Sequence, residues 1–320
     1  MTEIEFEFIQ INHVSESQLR DELSNGLMAT SAFVSPKYFY DTLGSKLFAA
    51  ICELPEYYPT RTETSIFRRY LNEIAASVGA GCTLIDLGAG DCTKAAALFS
   101  VLQPAQYVPV DISVNYLSHA VSQLQLQYPH IKMIGLGMDF STAIALPDVV
   151  QSKKRLFFYP GSSIGNFTPD EALAFFRRLR NACDSEGGLL IGVDLIKDEE
   201  ILNAAYDDSL GVTAAFNLNV LTHLNKLLGA NFDIKSWRHV SFYNARLNRI
   251  EMYLEARNDQ TVKWDRNERH FQAGERIHTE NSYKYQPEQF VALLQEAGMQ
   301  VAGRWCDAQN WFMVCHARVA

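Results

Sequence analysis

Long apolar runs are missing from this chain of 320 residues: none approaches the roughly 18 consecutive residues that a membrane-spanning helix needs. Its first residues, MTEIEFEFIQ, are acidic and hold no apolar stretch of the kind that leads a chain out of the cell, so the expected compartment is the cytoplasm. Basic residues are in short supply. With 28 Lys and Arg against 37 Asp and Glu, a net charge of -9 and no Lys/Arg block, nucleic acid is not an expected partner. The six cysteines contain no CxxC and the eight histidines no HxxxH, so neither a disulfide framework nor a metal site is expected. There is no low-complexity tract and no internal repeat, and 48% hydrophobic residues suffice for one large core or two smaller ones. A third glycine is missing too. In LIDLGAGDCTK, residues 84–94, position 93 is Thr93, which leaves the three-glycine dinucleotide fingerprint incomplete.

What that stretch does hold is an apolar run that breaks at Gly88-Ala89-Gly90 and continues into a helix-compatible segment, while the next apolar run closes on Asp111. Glycines at 88 and 90 let a ligand approach the backbone where a β-carbon would collide. A carboxylate about 20 residues further on, at the end of the second strand, suits the hydroxyls of a ribose. The turn alone is equally an ordinary strand-to-helix connection. Asp111 favours a nucleoside cofactor, and the absent glycine favours S-adenosyl-L-methionine (SAM) over a dinucleotide.

From residue 82 short apolar runs alternate with helical periodicity, and 82–88, 107–111, 131–137, 155–160 and 188–195 read as strands of a parallel sheet covered by helices. Thr168-Pro169-Asp170-Glu171 is a capping box that opens a helix with Leu173, Phe176, Leu179 and Cys183 along one stripe. Residues 287–298 form another, from Pro287 to its stop at Gly298, with Phe290, Leu293, Leu294 and Ala297 on its buried face. The runs 300–306 and 311–319, joined by Asp307-Ala308-Gln309-Asn310, read as a terminal antiparallel hairpin. The expected fold is therefore α/β, a class I SAM-methyltransferase sheet of Rossmann-like kind with a terminal hairpin. Residues 61–197 and 286–320 make up that domain. Residues 1–60, helical and irregular, and 198–285, helical and then alternating through Ile250-Glu251-Met252-Tyr253-Leu254-Glu255, are expected to combine into a second, substrate-binding domain.

Seven stretches, in order, resemble the bacterial histidine-specific Nα-methyltransferases of ergothioneine biosynthesis: YFYDTLGSKLF (38–48), ELPEYYPTRTE (53–63), GSSIGNFTP (161–169), VDLIKD (193–198), AYDDSLGVTAAFN (205–217), RIEMYLEA (249–256) and HTENSYKY (278–285). The resemblance implies a SAM-dependent enzyme that methylates the α-amine of L-histidine three times to give hercynine, the first step of that biosynthesis. Position by position, it implies a cofactor side of Tyr40, Gly88, Lys94, Asp111, Asp139 and Phe140. The implied substrate side is Tyr57, Ser163, Asn166, Tyr206, Met252, Glu280 and Ser282, with Tyr40, Tyr206 and Asn166 nearest the chemistry. Two departures stand out: Ser163 where the family commonly has Thr, and Gly88-Ala89-Gly90-Asp91 where Gly-Ser-Gly-Thr is more usual.

Read without the resemblance, the same residues are ordinary. Asn166 after Gly165 is turn chemistry or a ligand contact in equal measure. Met252 shares a strand face with Ile250 and Leu254, where a methionine belongs to the core. Glu280 and Ser282, two apart, share a face of an extended segment, and a solvated glutamate is the usual reading there. Lys94 reads as a surface helix residue and Asp139 as a loop cap. Another amino acid or amine as substrate, tryptophan for instance, would call for a small apolar residue at Met252 and no acid at Glu280. A catalytically silent SAM-binding protein is the remaining alternative. The expected partner is a small-molecule substrate, with no membrane or nucleic acid involved, and the sequence leaves the oligomeric state open, a monomer included.

Overall fold

The computed structural model describes residues 7–11, 15–112 and 114–320. In chain order its strands are β1 (Glu7–Gln10), β2 (Thr83–Leu87), β3 (Gln106–Asp111), β4 (Lys132–Gly137), β5 (Arg155–Tyr159), β6 (Gly188–Asp194), β7 (Trp237–Asn244), β8 (Arg249–Ala256), β9 (Gln260–Trp264), β10 (Asn267–Phe271), β11 (Arg276–Tyr283), β12 (Met299–Cys306) and β13 (Phe312–Val319). They belong to two compact units. The first comprises the start of the chain, Arg61–Ile196 and Tyr285–Ala320, and the second Val14–Thr60 and Lys197–Lys284.

The first unit is built on an eight-stranded sheet in the order β1-β4-β3-β2-β5-β6-β13-β12. β1 to β6 run parallel and β13 and β12 close the sheet as an antiparallel hairpin. Helices cover a parallel sheet on both faces, which is why every residue of β2 and β6 is buried and their sequences are mostly apolar. Thr168 caps the helix Pro169–Ala182 through a complete capping box with Glu171. Its buried face is Ala172, Phe175, Phe176 and Leu179, so the expected stripe is displaced: Leu173 and Cys183 lie at its margin, half-buried. The helix Pro287–Glu296 buries Phe290 and Leu294 and ends before Gly298, whose φ of +80° is the left-handed stop. In the hairpin link the Asp307 carboxylate accepts from the amides of Gln309, Trp311 and Phe312, which fixes the turn.

One expectation is corrected at the N-terminus. Residues 1–60 were expected to belong wholly with 198–285, yet Glu7–Gln10 pairs in parallel with Ile134–Gly137 and adds an edge strand to the large sheet. Phe8 packs against the core that holds Leu84, Phe99, Tyr107 and Phe158, and this contact explains the pairing.

In the second unit three antiparallel strands form a sheet in the order β11-β8-β7, with β9 and β10 as a separate hairpin. The helices Glu16–Met28, Thr42–Cys52, Glu199–Tyr206 and Val212–Leu228 belong to the same unit. Central β8 buries Ile250, Met252 and Leu254 as its alternation requires, and it buries Glu251 and Glu255 as well. Arginines explain this. Glu255 is held between Arg238 of β7 and Arg276 of β11, and Glu251 accepts from Arg249 and Asn244. β11 carries a bulge between His278 and Glu280: Thr279 is the extra residue, and from there Glu280 pairs with Met252 and Ser282 with Ile250.

Candidate active site

In the first unit, β2 ends at Leu87 and the chain turns through Gly88 and Gly90, with φ of +72° and +54°, a region glycine enters without strain. The amides of Gly88 and Ala89 both donate to the Val110 carbonyl, and the amide of Gly90 donates to Asp111 Oδ2 at 3.0 Å. The Asp111 carboxylate at the end of β3 is thereby tied to the glycine turn. No third glycine is needed, because Cys92 itself takes φ +64° and Asp91 Oδ1 accepts from the Thr93 amide and hydroxyl at 3.1 and 2.7 Å. Asp91 thus closes a local turn onto Thr93 just ahead of the short helix Thr93–Ala96, whose N-cap is Cys92. Two residues past β4, the half-buried Asp139 accepts from the Ser141 amide and hydroxyl. Beside it, the Phe140 ring lies 3.8 Å from where a β-carbon on Gly88 would stand. Half-buried carboxylates for hydroxyl and amino hydrogens, an aromatic face and exposed glycine backbone are the donor and acceptor types a nucleoside needs, so the residues fit an adenosyl cofactor.

Two neighbours are not singled out by the sequence reading. Asp86, the one acid inside β2, accepts from the Tyr107 hydroxyl at 2.8 Å. Burial pushes its carboxyl up to about 7, Tyr107 opposes the rise and Asp111 adds to it. Its signal was a lone acid in an apolar strand. Glu63, 2% exposed, accepts from Lys94 Nζ and from the Gly161 amide, each at 2.7 Å. Lys94, itself exposed, is therefore paired with the buried Glu63, which ties the helix after the turn to the end of β5. Ser163 joins this group, its hydroxyl 3.8 Å from where a Gly161 β-carbon would stand. Asn166 closes the short 3-10 turn Ser163–Asn166, half-buried and with no side-chain hydrogen bond among the described residues.

The second unit gathers the remaining residues. Tyr206 ends the helix Glu199–Tyr206, where its carbonyl accepts from His239 Nε2 at 2.9 Å and Ser241 Oγ at 3.1 Å. Its hydroxyl stands 2.7 Å from Ser282 Oγ, and Lys284 Nζ donates to both, at 2.9 Å to Tyr206 and 2.7 Å to Ser282. Lys284 was also missed, although its spacing of two from Ser282 placed it on the same strand face. Met252, 2% exposed, lies opposite Glu280 in register. Withdrawal from water raises the Glu280 carboxyl to about 7, against the pull of the Lys284 charge. That carboxylate has no hydrogen-bond partner among the described residues. Tyr57 packs edge-on to Tyr206 and to Phe48, with centroids at 6.3 and 6.1 Å. Phe48 in turn meets Tyr40 at 5.7 Å and Phe216 at 5.9 Å. Burial pushes the Tyr57 hydroxyl well above its ordinary value, so it stays an O–H donor. Tyr40, grouped with the cofactor side in the sequence, thus belongs to the second unit, whereas Ser163 and Asn166, grouped with the substrate side, belong to the first.

A glycine turn tied to a strand-end carboxylate is shared by many methyltransferases, so relatives decide between them. The chain is 40% identical over 301 residues to the histidine N-alpha-methyltransferase of Mycolicibacterium smegmatis, covering 92% of each protein. It is 38% identical over 311 residues to that of Mycobacterium tuberculosis, covering 94% of this chain and 96% of that one. With ergothioneine biosynthesis protein 1 of Neurospora crassa it shares 30% identity over 279 residues, which is 83% of this chain and 31% of the fungal protein. Residues 19–319 match the family described as histidine-specific, SAM-dependent methyltransferases, a span that includes the turn, Asp111 and the Tyr206–Ser282–Lys284 group. The chain belongs to that family.

Proposed function

We propose that the protein transfers methyl groups from SAM to the α-amine of L-histidine, three in succession, giving hercynine for ergothioneine biosynthesis in the cytoplasm. Among the described residues no helix is long and apolar enough to cross a membrane. The observation that carries the substrate assignment is the pairing of an acceptor and hydroxyls on one strand: Glu280 without a hydrogen-bond partner, Ser282 two residues on, and Met252 as the apolar wall opposite, in a chain 40% identical to a histidine N-alpha-methyltransferase. An apolar pocket discriminates weakly between rings of similar size, whereas a buried acceptor left unpaired by the wrong ring rejects it.

Gly88, Asp111, Asp139 and Phe140 are assigned to hold the cofactor, which supplies an electrophilic methyl on a sulfonium. The chain's part is to position and to desolvate. Holding a neutral nitrogen in line removes roughly 7–11 kcal/mol of barrier without covalent help. Tyr206, Asn166 and Ser163 are assigned to the amino-acid end, Tyr40 to orienting the nitrogen, and Tyr57 with Phe216 to facing the cation that grows with each methyl. Glu280 accepts the imidazole N–H and Ser282 meets the other ring nitrogen. An indole would leave both unanswered, and Met252 is too large a wall for it.

Calorimetry with S-adenosylhomocysteine followed by L-histidine, and mass spectrometry of the product, test this reading. Ternary binding and a trimethylated product are expected. Binding of S-adenosylhomocysteine without histidine, or equal turnover of tryptophan or phenylalanine, would overturn it.

A further inference from the structure

Tyr206 is the last residue of the helix Glu199–Tyr206, and the carbonyls of a helix's last turn have no partner inside the helix. The Tyr206 carbonyl is met from outside by two side chains of β7. His239 and Ser241 are two residues apart and share one face of that strand, reaching the oxygen from Nε2 at 2.9 Å and from Oγ at 3.1 Å. Ser241 lies opposite Met252 in register, so this clamp is built on the sheet that also carries Glu280 and Ser282.

The state of the imidazole follows from what each of its nitrogens meets. A carbonyl only accepts, so His239 Nε2 must carry a proton. His239 Nδ1 lies 2.8 Å from Nδ2 of Asn217, on the helix Val212–Leu228, and the same Nδ2 lies 3.0 Å from the Tyr253 carbonyl. That carbonyl fixes which way the Asn217 amide faces, since turning it would set oxygen against oxygen. One Asn217 hydrogen then goes to Tyr253 and the other to His239 Nδ1, which must offer a lone pair. Both ends of the ring therefore demand the same species, neutral with its proton on Nε2. Asn217 is fully buried, and its Oδ1 has no hydrogen-bond partner among the described residues. The fold tolerates that loss to keep the amino group between two acceptors. Burial lowers the His239 pKa, while the Tyr206 carbonyl and the charges of Asp207 and Asp208 oppose the fall.

We propose that His239 is a positioning residue for substrate binding: locked by Asn217 as the Nε2–H tautomer, it anchors the backbone of Tyr206 and, through it, the Tyr206 hydroxyl 2.7 Å from Ser282 Oγ. This inference rests on the reading above, in which Tyr206 grips the amino-acid end of L-histidine, and extends it to a residue that acts through Tyr206. A misplacement of about 1 Å, introduced away from the chemistry, is enough for a loss of roughly hundredfold, so a bond to the main chain can govern what a side chain delivers.

The test is a double-mutant cycle in the full chain with His239→Leu, Tyr206→Phe and the two combined, reading the Kd of L-histidine by calorimetry in the presence of S-adenosylhomocysteine. His239→Leu should raise the histidine Kd roughly tenfold and leave S-adenosylhomocysteine affinity within about twofold. In the Tyr206→Phe background the same change should cost less than about threefold, because the hydroxyl it positions is gone. His239→Gln, whose amide N–H can reach the same carbonyl, should return the Kd to within about threefold of the parent. Proton–nitrogen NMR of the parent at about pH 7.5 should show His239 neutral with its proton on Nε2. An undiminished effect of His239→Leu in the Tyr206→Phe background, no effect in either background, or a ring protonated on Nδ1 overturns the proposal. If His239→Leu does not fold, His239→Asn, whose side chain is too short for the carbonyl, takes its place in the cycle. Parent-like histidine affinity in Tyr206→Phe, or a parent that binds no histidine, overturns the underlying reading instead.

Discussion

The two units place the charged groups proposed for their sites in different ways. In the first, Asp111 and Asp139 sit half-buried where parallel strands end, and each carboxylate accepts from backbone of its own turn or the next. In the second, the charges lie within the sheet. Glu251 and Glu255 are satisfied there by arginines, while Glu280 has no such partner and Lys284 is buried against two hydroxyls. Strand ends of a parallel sheet offer free amides and open space, so a site forms there with little penalty. A sheet face offers none, and polar groups on it must be answered by side chains or by a ligand. Under the proposed function, the first unit would bind through a preformed frame, whereas the second would hold an acceptor whose partner the substrate supplies.

The sharpest way to break this contrast is Asp111→Ala. Removing a charge-assisted acceptor for ribose should weaken S-adenosylhomocysteine binding by roughly hundredfold. Calorimetry on the folded variant checks it, and parent-like affinity would remove Asp111 from the cofactor side. Next comes Glu280→Ala, expected to narrow the kcat/KM preference for histidine over phenylalanine and tryptophan by about 1 to 3 kcal/mol while sparing S-adenosylhomocysteine affinity. Unaltered ratios would mean that Glu280 is a solvated strand residue. Activity should rise from pH 6.5 toward alkaline values, by roughly tenfold. Both Glu280, ionising at about 7, and the substrate amine, near pH 8, lose protons in that range. A flat profile with chemistry rate-limiting would point to a pocket that deprotonates its substrate.

Smaller effects should appear in stability. The raised Glu280 value means that the folded state disfavours its charge, a penalty absent below the ordinary carboxylate range and complete above about 7. Glu280→Gln without ligand should therefore melt a few degrees higher than the parent at pH 8 and no higher at pH 4. A lower Tm at pH 8 would show that the carboxylate is already well accommodated. In the first unit, Thr168→Ala removes an exposed cap and should cost about 1 kcal/mol in denaturant unfolding without moving either ligand's affinity.

How much of this was legible in the sequence follows the same division. The glycine turn, Asp111, the capping box at Thr168 and the hairpin link at Asp307 are local patterns, decided within a few residues or by one strand pairing, and they read directly. β1 did not, because four residues of edge strand with one exposed and three half-buried side chains give too short an alternation. Glu63 and Lys94 are 31 residues apart, and Tyr206 is 78 from Lys284. Pairings of that range depend on the folded backbone, which single-sequence periodicity does not contain. The burial of Glu255 was hidden for the same reason, since its arginines arrive from neighbouring strands.

The one-residue excess in β11 has a hereditary side. Because Thr279 is accommodated as a bulge, Glu280 faces Met252, and Ser282 and Lys284 follow on the same side. Were the strand drawn straight at that point with its upstream pairing retained, Thr279, Asn281 and Tyr283 would take those places together. This strand face is thus specified by counting as well as by residue type. A shift of one position exchanges every group on it at once, a change of chemistry that no series of single substitutions would trace.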